Sequence, residues 1–593
     1  MKDFIKFTLA TVTGLVLTGV VFFFMGIVSL FGLVAASEQE TPVRSNSVFV
    51  LKLDKPLKER AIDDPMAMLL GGEYESMGLD EILKSIKKAK NDDRIRGIYI
   101  ETGMTEGASM ATWQEMRQAL EDFKESGKFI IAYGDNYTQG EYYLCSVADK
   151  VILNPQGTIE WSGLSAQPVF YTGLLEKLGV KMQIFKVGTY KSAVEPFTEK
   201  KMSTANREQV EAYLVSMWEQ LTTDVAVSRG LTSNLLNDYA DQMVTLGPAE
   251  GLVECGLADT LLYMDGVKAY LKQLTGMGDD EPLNTLDLTE MTNVQRNVPL
   301  DKSGNIIAVY YATGEITDEA LDGLYGGQEV IAGSKVIADL NRLREDKNVK
   351  AVVLRVNSPG GSAFASEQIW NEVVKLKAKK PVIVSMGGMA ASGGYYISCA
   401  ADSIFAEPTT LTGSIGIFGM VPDMQNLLSD KLGLDFDVVK TNRYSDIGTP
   451  VRPMNESEKK ILQNTVNKGY DLFVKRCADG RGMSIEALRQ VAEGRVWTGT
   501  MALELGLVDK LGGMNEALQA AAFKAGTDAY TVLSYPEQPG LFANLMEDGK
   551  DNYINARLRA TGGEYYEFMN FANNLLRSNH IQARISLDPN IKL

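Results

Sequence analysis

Short apolar runs separated by longer amphipathic stretches set the pattern of this chain from residue 47 onward. The first half carries SVFVLKL at Ser47 to Leu53, then IRGIYIE, an amphipathic stretch, and FIIAYG. The second half carries NIIAVYYATG at Asn305 to Gly314, then VKAVVLRV, another amphipathic stretch, and PVIVSMG. Short runs rich in Val, Ile and Tyr predict strands, and apolar positions recurring at helical spacing between them predict helices. Strand and helix in alternation give βαβ units, so the expected fold class is α/β, with a sheet that is parallel at least in part.

The pattern occurs twice because the sequence does. NYTQGEYYLCSVADKVILNP around Gln139 aligns with GGMAASGGYYISCAADSIFAEP around Ser392, with Tyr142 and Tyr143 falling on Tyr395 and Tyr396 at an offset of 253 residues. Further on, LGVKMQIFKVGTYKS aligns with LGLDFDVVKTNRYSD, Tyr190 on Tyr444, at an offset of 254. In these registers Ser392 faces Gln139, and Lys191 faces Ser445. Each copy lacks what the other keeps, which predicts one active site assembled from both, within one chain or between neighbours. Later segments also match, with Gly256 on Gly506 and Asp259 on Asp509. The expected organisation is a stub and anchor at 1–46, a first repeat at 47–275, a linker at 276–303, a second repeat at 304–540 and a helical extension at 541–593.

Phe7 to Ala36 contains no charged residue. At about 1.5 Å per residue such a helix exceeds the hydrocarbon core of roughly 30 Å, so it can span a bilayer. Lys2 and Lys6 precede it and Glu38 and Glu40 follow, which places the N-terminus in the cytoplasm and the rest of the chain on the external side of the cytoplasmic membrane. Ala35, Ala36 and Ser37 offer a cleavage site for the competing reading, a removable signal peptide. The apolar core of such peptides is only about 7–15 residues long, so a retained single-pass anchor is the expectation.

Charge and composition narrow the chemistry. A net charge of −17 removes a broad nucleic-acid footprint, which needs clustered Lys and Arg. The chain holds one histidine, His580, in a polar segment near the C-terminus, far in sequence from the glycine-rich elements. A Ser-His-Asp triad and most zinc or non-haem iron sites therefore lack their usual imidazole. Cys145, Cys255, Cys399 and Cys477 are widely spaced, and buried free thiols are their expected state, a disulfide remaining open in an oxidising compartment.

Without histidine, a serine hydroxyl needs another base, and a lysine serves if burial away from counter-charges keeps its amine neutral. Lys191, in KVGTYKSAVEPF, sits among small and aromatic neighbours. Ser392 follows the strand PVIVSMG among Gly387, Gly388, Ala390, Ala391, Gly393 and Gly394, where small residues admit a substrate backbone. In RVNSPGGSAFASEQ a strand runs into Ser358-Pro359-Gly360-Gly361 and then a helix. Glycines at such a turn leave backbone N–H groups uncovered beside a helix start, which suits a developing oxyanion. Lys440 and Arg443 in the second copy are the next basic residues; Lys440 aligns with Lys186, which both copies keep, and reads as structural.

SPGGS, GMAASGGYY, LTGSIGIF and YKSAVEPF, in that set and over nearly the whole chain, resemble the long form of the signal peptide peptidase A family. The resemblance implies two tandem domains of the ClpP/crotonase superfold after one transmembrane helix, and a Ser/Lys endopeptidase of remnant signal peptides acting through an acyl-enzyme. It implies Ser392 as nucleophile, Lys191 as general base, Ser414 of LTGSIG as the group orienting the lysine amine, and Gly361, with Gly360 as an additional candidate, and the Gly393 amide as oxyanion-hole donors. It further implies a homotetramer, hydrophobic signal-peptide fragments as partners, a bilayer contact through residues 7–36, and no metal or other cofactor. Two other classes fit parts of the pattern: a crotonase-like acyl-CoA enzyme and a non-catalytic membrane scaffold.

Overall fold

The computed structural model describes residues 40–61, 76–295, 303–320, 329–537, 581–585 and 591–592, with scattered positions between 6 and 25. The six apolar runs are the central strands of two sheets. In the first, Ser47–Leu53, Ile95–Thr102, Phe129–Tyr137 and Lys150–Ile159 lie parallel in that order, flanked by Thr285–Leu286 and Thr260–Leu261. In the second, Ile306–Thr313, Val349–Ser358, Val382–Ala391 and Leu411–Gly413 follow one another in parallel. Thr531–Tyr535 extends one edge, and Val496–Thr498 closes the other in antiparallel pairing. Helices cover both faces of a parallel sheet, which is why the strands read as continuous apolar runs rather than alternating ones.

The duplication is visible in the ladders and in their fastenings. Asn136 lies opposite Thr158, and 253 residues on Met389 lies opposite Leu411. The Tyr142 hydroxyl donates to the Leu257 carbonyl at 2.9 Å, and that of Tyr395 to Leu507 at 2.8 Å. Arg229 pairs with Asp259 as Arg481 pairs with Asp509. Each repeat also carries a 26-residue helix, Thr204–Arg229 and Glu456–Arg481. Ser203 and Asn455 cap their starts, and Gly230 and Gly482, in the left-handed conformation, end them. The second helix buries Phe473, Val474 and Cys477 on the sheet core, each large side chain contributing about 1.5–3 kcal/mol by leaving water.

Among the contacts that join the repeats, two are extensive. A buried ionic cluster lies between them: Arg355 donates from Nε to Glu59 at 2.8 Å, from Nη2 to Glu115 at 2.7 Å, and from Nη1 to the Ser385 hydroxyl at 2.8 Å. A third sheet takes strands from both repeats, in the order Val330–Ala332, Glu315–Thr317, Gly360–Ser362, Ile581–Arg584, Phe418–Asp423 and Lys181–Lys186. In it, Lys181–Lys186 of the first repeat runs antiparallel to Phe418–Asp423 of the second, Lys186 opposite Phe418.

Several expectations are corrected. The segment 276–303 is not a bare linker: Thr285–Leu286 pairs with Ser47–Leu53, and the helix Leu288–Asn293 buries Met291 in the first core. Elements this short leave no periodicity to read, although the Asp287/Glu290 capping box marks the helix start. The glycines of SPGG form a strand, Gly360–Ser362, rather than a simple turn into the helix Ala363–Lys377. Of the expected helical extension, 541–580 and His580 lie outside the described residues, and Ile581–Arg584 is a strand. Most of the anchor segment 7–36 also lies outside them; no helix among the described residues is long and apolar enough to cross a membrane. The four cysteines are free thiols, three of them buried.

Candidate active site

Ser392 ends the strand Val382–Ala391 and begins the helix Gly393–Ser398. Its φ of +55° is a conformation that costs a residue with a Cβ about 1–3 kcal/mol. The surrounding contacts hold it there: the Ser392 N–H donates to the Gly413 carbonyl at 2.8 Å, and its own carbonyl accepts from Tyr396 N–H at 2.8 Å. The side chain is fully buried.

Lys191 arrives from the other repeat. After Lys181–Lys186 the chain stays on the second repeat, with Val187 N–H donating to Ile417 O at 3.3 Å and Tyr190 N–H to Glu493 O at 3.0 Å. Gln209 Nε2 holds the Tyr190 carbonyl at 3.1 Å and the Ser192 hydroxyl at 3.0 Å, and the Arg495 guanidinium lies 4.6 Å from the centre of the Tyr190 ring. These contacts place Lys191 Nζ 2.7 Å from Ser392 Oγ, within a single chain. Lys191 is only 1% exposed. Burial pushes its amine well below the ordinary lysine pKa, and the nearby Arg584 guanidinium acts in the same direction.

Ser414 also has a positive φ, +48°, and sits beside the amine: Lys191 Nζ donates to its carbonyl and lies the same 3.1 Å from its hydroxyl. Lys440 is elsewhere, paired with Asp446 at 2.5 Å. Gln139, on the helix that matches the one after Ser392, spends its side-chain oxygen on the N–H groups of Ser162 and Gly163 at 3.0 and 3.1 Å. The first repeat therefore has no hydroxyl at this position.

The three glycines expected at the oxyanion hole lie together but are not equivalent. Gly360 takes φ +100°, and its N–H donates to the Ser358 hydroxyl at 3.1 Å, so that amide is already engaged. Gly361 and Gly393 are the remaining candidates. Gly393 packs against Gly360: a Cβ on Gly360 would lie 2.8 Å from the Gly393 nitrogen.

Two contributors were not legible beforehand. Gly494, at φ +78°, backs the lysine so closely that a Cβ there would lie 2.7 Å from Lys191 Cβ. The glycine of EGRVWTG was the available signal, but nothing in the chain near it points to a residue more than 300 positions earlier. Arg584 comes from the C-terminal segment. A cavity of about 110 Å³ opens beside Lys191, lined also by Tyr190, Tyr213, Leu411, Ser414 and Val496 among others. Among the described residues no group of acidic, histidine or cysteine side chains could hold a metal.

The sequence pattern of peptidase family S49 matches residues 122–278 and again 374–528, and that of Clp protease matches 324–411. Protease 4 of Haemophilus influenzae is 34% identical over 513 residues, spanning 84% of this chain and 82% of that protein. Protease 4 of Salmonella typhi is 35% identical over 508 residues, spanning 84% and 80%. The chloroplastic serine protease SPPA of Arabidopsis thaliana is 32% identical over 451 residues, spanning 76% and 66%. The first S49 match contains Lys191 and the second Ser392 and Ser414. With an α/β fold in two tandem copies, this chain belongs to peptidase family S49, in the long, tandem-repeat form of the signal peptide peptidase A family, and is a serine-type protease.

Proposed function

We propose that the protein is an endopeptidase with a Ser/Lys dyad, cutting remnant signal peptides at the membrane surface through an acyl-enzyme. The observation that carries this reading is the separation of 2.7 Å between a buried, neutral-favoured lysine amine and a buried serine hydroxyl. Ser392 Oγ attacks the peptide carbonyl while Lys191 takes its proton; the Gly361 and Gly393 amides receive the oxyanion. Lys191 then returns the proton to the leaving amine, and water hydrolyses the ester by the same route. Ser414 fixes the amine in the rotamer that faces Ser392. The aromatic and aliphatic walls of the adjoining cavity suit an apolar side chain, the kind signal peptides supply.

The test is covalent. A fluorophosphonate probe is expected to label Ser392 in the wild-type chain, and Ser392→Ala to lose both labelling and peptide cleavage while remaining folded. Cleavage undiminished in Ser392→Ala would overturn the assignment. Binding of coenzyme A without labelling would favour the acyl-CoA reading, and a folded chain inert at every pH the scaffold reading.

The anchor and the assembly belong to the same proposal. Phe7, Leu15, Phe22 and Met25 are helical and exposed, as side chains meeting lipid would be. The assembly rests on the repeat. LGVKMQIFK forms a paired strand, whereas its copy LGLDFDVVK forms none and leaves Phe436, Val438 and Val439 exposed, the last by 96%. An unpaired copy of a paired strand fits the matching edge of a neighbouring chain. Full-length protein is expected to leave membranes only in detergent, as an assembly of four copies that Val439→Asp dissociates. Release by alkaline salt would overturn the anchor, and a monomeric wild type the assembly.

A further inference from the structure

The strand Ile581–Arg584 fills the gap between Gly360–Ser362 and Phe418–Asp423. It runs antiparallel to Gly360–Ser362, with Ala583 opposite Gly361, and antiparallel to Phe418–Gly419, with Gln582 opposite Phe418. Ile585 N–H continues the pairing to the Pro359 carbonyl at 3.0 Å. Both edges flanking the dyad, which could accept an extended peptide by strand addition, are thus filled by the chain's own tail.

The position of one carbonyl is specific. A Cβ on Gly360 would lie 2.1 Å from the Ala583 oxygen, and one on Gly393 would lie 3.0 Å from it. The Ala583 carbonyl is therefore wedged among the glycines that would receive an oxyanion. Ala583 itself has no exposed surface. Arg584 pairs with Glu315 at 2.8 Å, and Arg584 and Ile585 line the cavity beside Lys191.

The tail treats the two repeats alike. Ile591 and Lys592 pair antiparallel with Ala166 and Ser165, as Ile581 and Gln582 pair with Gly419 and Phe418, and the offset of 253 carries Ser165 and Ala166 onto Phe418 and Gly419. In the first repeat Gln139 replaces the serine, so a strand bound there is beyond attack and serves as a mooring.

We infer that residues 581–585 are a tethered occupant of the peptide groove, seated as an extended strand with the Ala583 carbonyl at the oxyanion position, and that the groove takes only a small side chain at the residue supplying that carbonyl. This deepens the Ser/Lys endopeptidase reading and rests on it. The tail competes with substrate and leaves for each cleavage. Were Ser392 to attack Ala583, the Ala583–Arg584 amide would give a serine ester and the Arg584 amine. That amine is held by the Glu315 pair and the mooring at 591–592, so it re-forms the bond, as in a tight inhibitor.

The test is Ala583→Trp in the full chain, because an indole has no room where the methyl is buried. The apparent affinity for a peptide substrate is set by the fraction of grooves that are open. Cleavage at low substrate and labelling of Ser392 are both expected to rise about fivefold or more. The free peptide HIQARISLD should inhibit the variant competitively, and the same peptide with Trp in place of its Ala should not. In the wild type, a peptide aldehyde ending in alanine, bound to Ser392, should open amides 581–585 to hydrogen exchange. Unchanged rates in a folded Ala583→Trp protein, or a tail that stays protected with the aldehyde bound, would overturn the inference while leaving the protease reading intact. A Ser392 unreactive in both proteins would instead sink the protease reading, and this inference with it.

Discussion

A full-length chain carrying Lys191→Met is expected to fold, to keep its peptide groove, and to cleave peptide on the order of a thousandfold more slowly than the wild type, the usual scale for losing a positioned general base. The same change is expected to make the protein more stable at neutral pH. Lys191 is 1% exposed, and its pKa is lowered first by burial and then by Arg584. In the unfolded chain the same amine returns to about 10.4. Between the lowered native pKa and that value the unfolded state binds one more proton, so wild-type stability rises with pH through this window. Methionine keeps the volume without the titration. The advantage of Lys191→Met should therefore be full below the native pKa of the lysine and should fade as the pH approaches about 10.4. Thermal melts of both proteins across that range, beside rates at a fixed pH, check it. A stability difference between the two proteins that does not change with pH across that range would show that the amine is not held below its ordinary pKa in the native state. By the same linkage, wild-type activity should rise with pH through the lowered lysine pKa, since only the neutral amine can accept the serine proton.

Arg355→Met should be costlier for the fold. The guanidinium neutralises Glu59 and Glu115 in a site where Arg355 is 1% exposed and both carboxylates are buried. Removing one partner of such a cluster typically costs about 3–5 kcal/mol, because the charges left behind keep their desolvation penalty. Burial already raises the Glu59 pKa despite Arg355, so in the variant that carboxyl is expected to take up a proton. Glu59 and Glu115 belong to the first repeat and Arg355 to the second, so the loss falls on their junction, the contact that delivers Lys191 to Ser392. The expected result is a lower urea midpoint together with a falling rate of Ser392 labelling, whereas Lys191→Met loses labelling without losing stability. Replacing all three charges, with Glu59→Gln and Glu115→Gln added, should recover most of the midpoint, since a buried cluster exchanged for neutral groups is often near neutral. An Arg355→Met protein as stable as the wild type would mean that the cluster does not hold the repeats together.

The contrast between Val439 and Phe185, which share one position of the repeat, shows where reading the chain stops. Both stand in copies of one apolar segment, and pattern alone assigns them the same state. Phe185 is buried in a strand paired with Gly419, whereas Val439 is exposed and unpaired. The difference lies in what each segment meets, because a strand is completed by a partner edge and not by its own residues. The short elements at 285–293 escaped for a related reason: two residues pair through their backbones, which leave no mark in side-chain spacing.

By itself the sequence determined the six central strands, the duplication, the absence of an internal histidine, and the pair Ser392 and Lys191, since each of these is written in local composition or in comparison of one half with the other. Only the tertiary structure decided that the amine and the hydroxyl meet within one chain at 2.7 Å, that Gly494 makes room for the lysine, and that Ile581–Arg584 fills the groove. These contacts join residues roughly 200 to 300 positions apart. Their geometry is fixed by the packing of one repeat against the other and by strand edges left open for a partner, and neither is carried by any single stretch of chain.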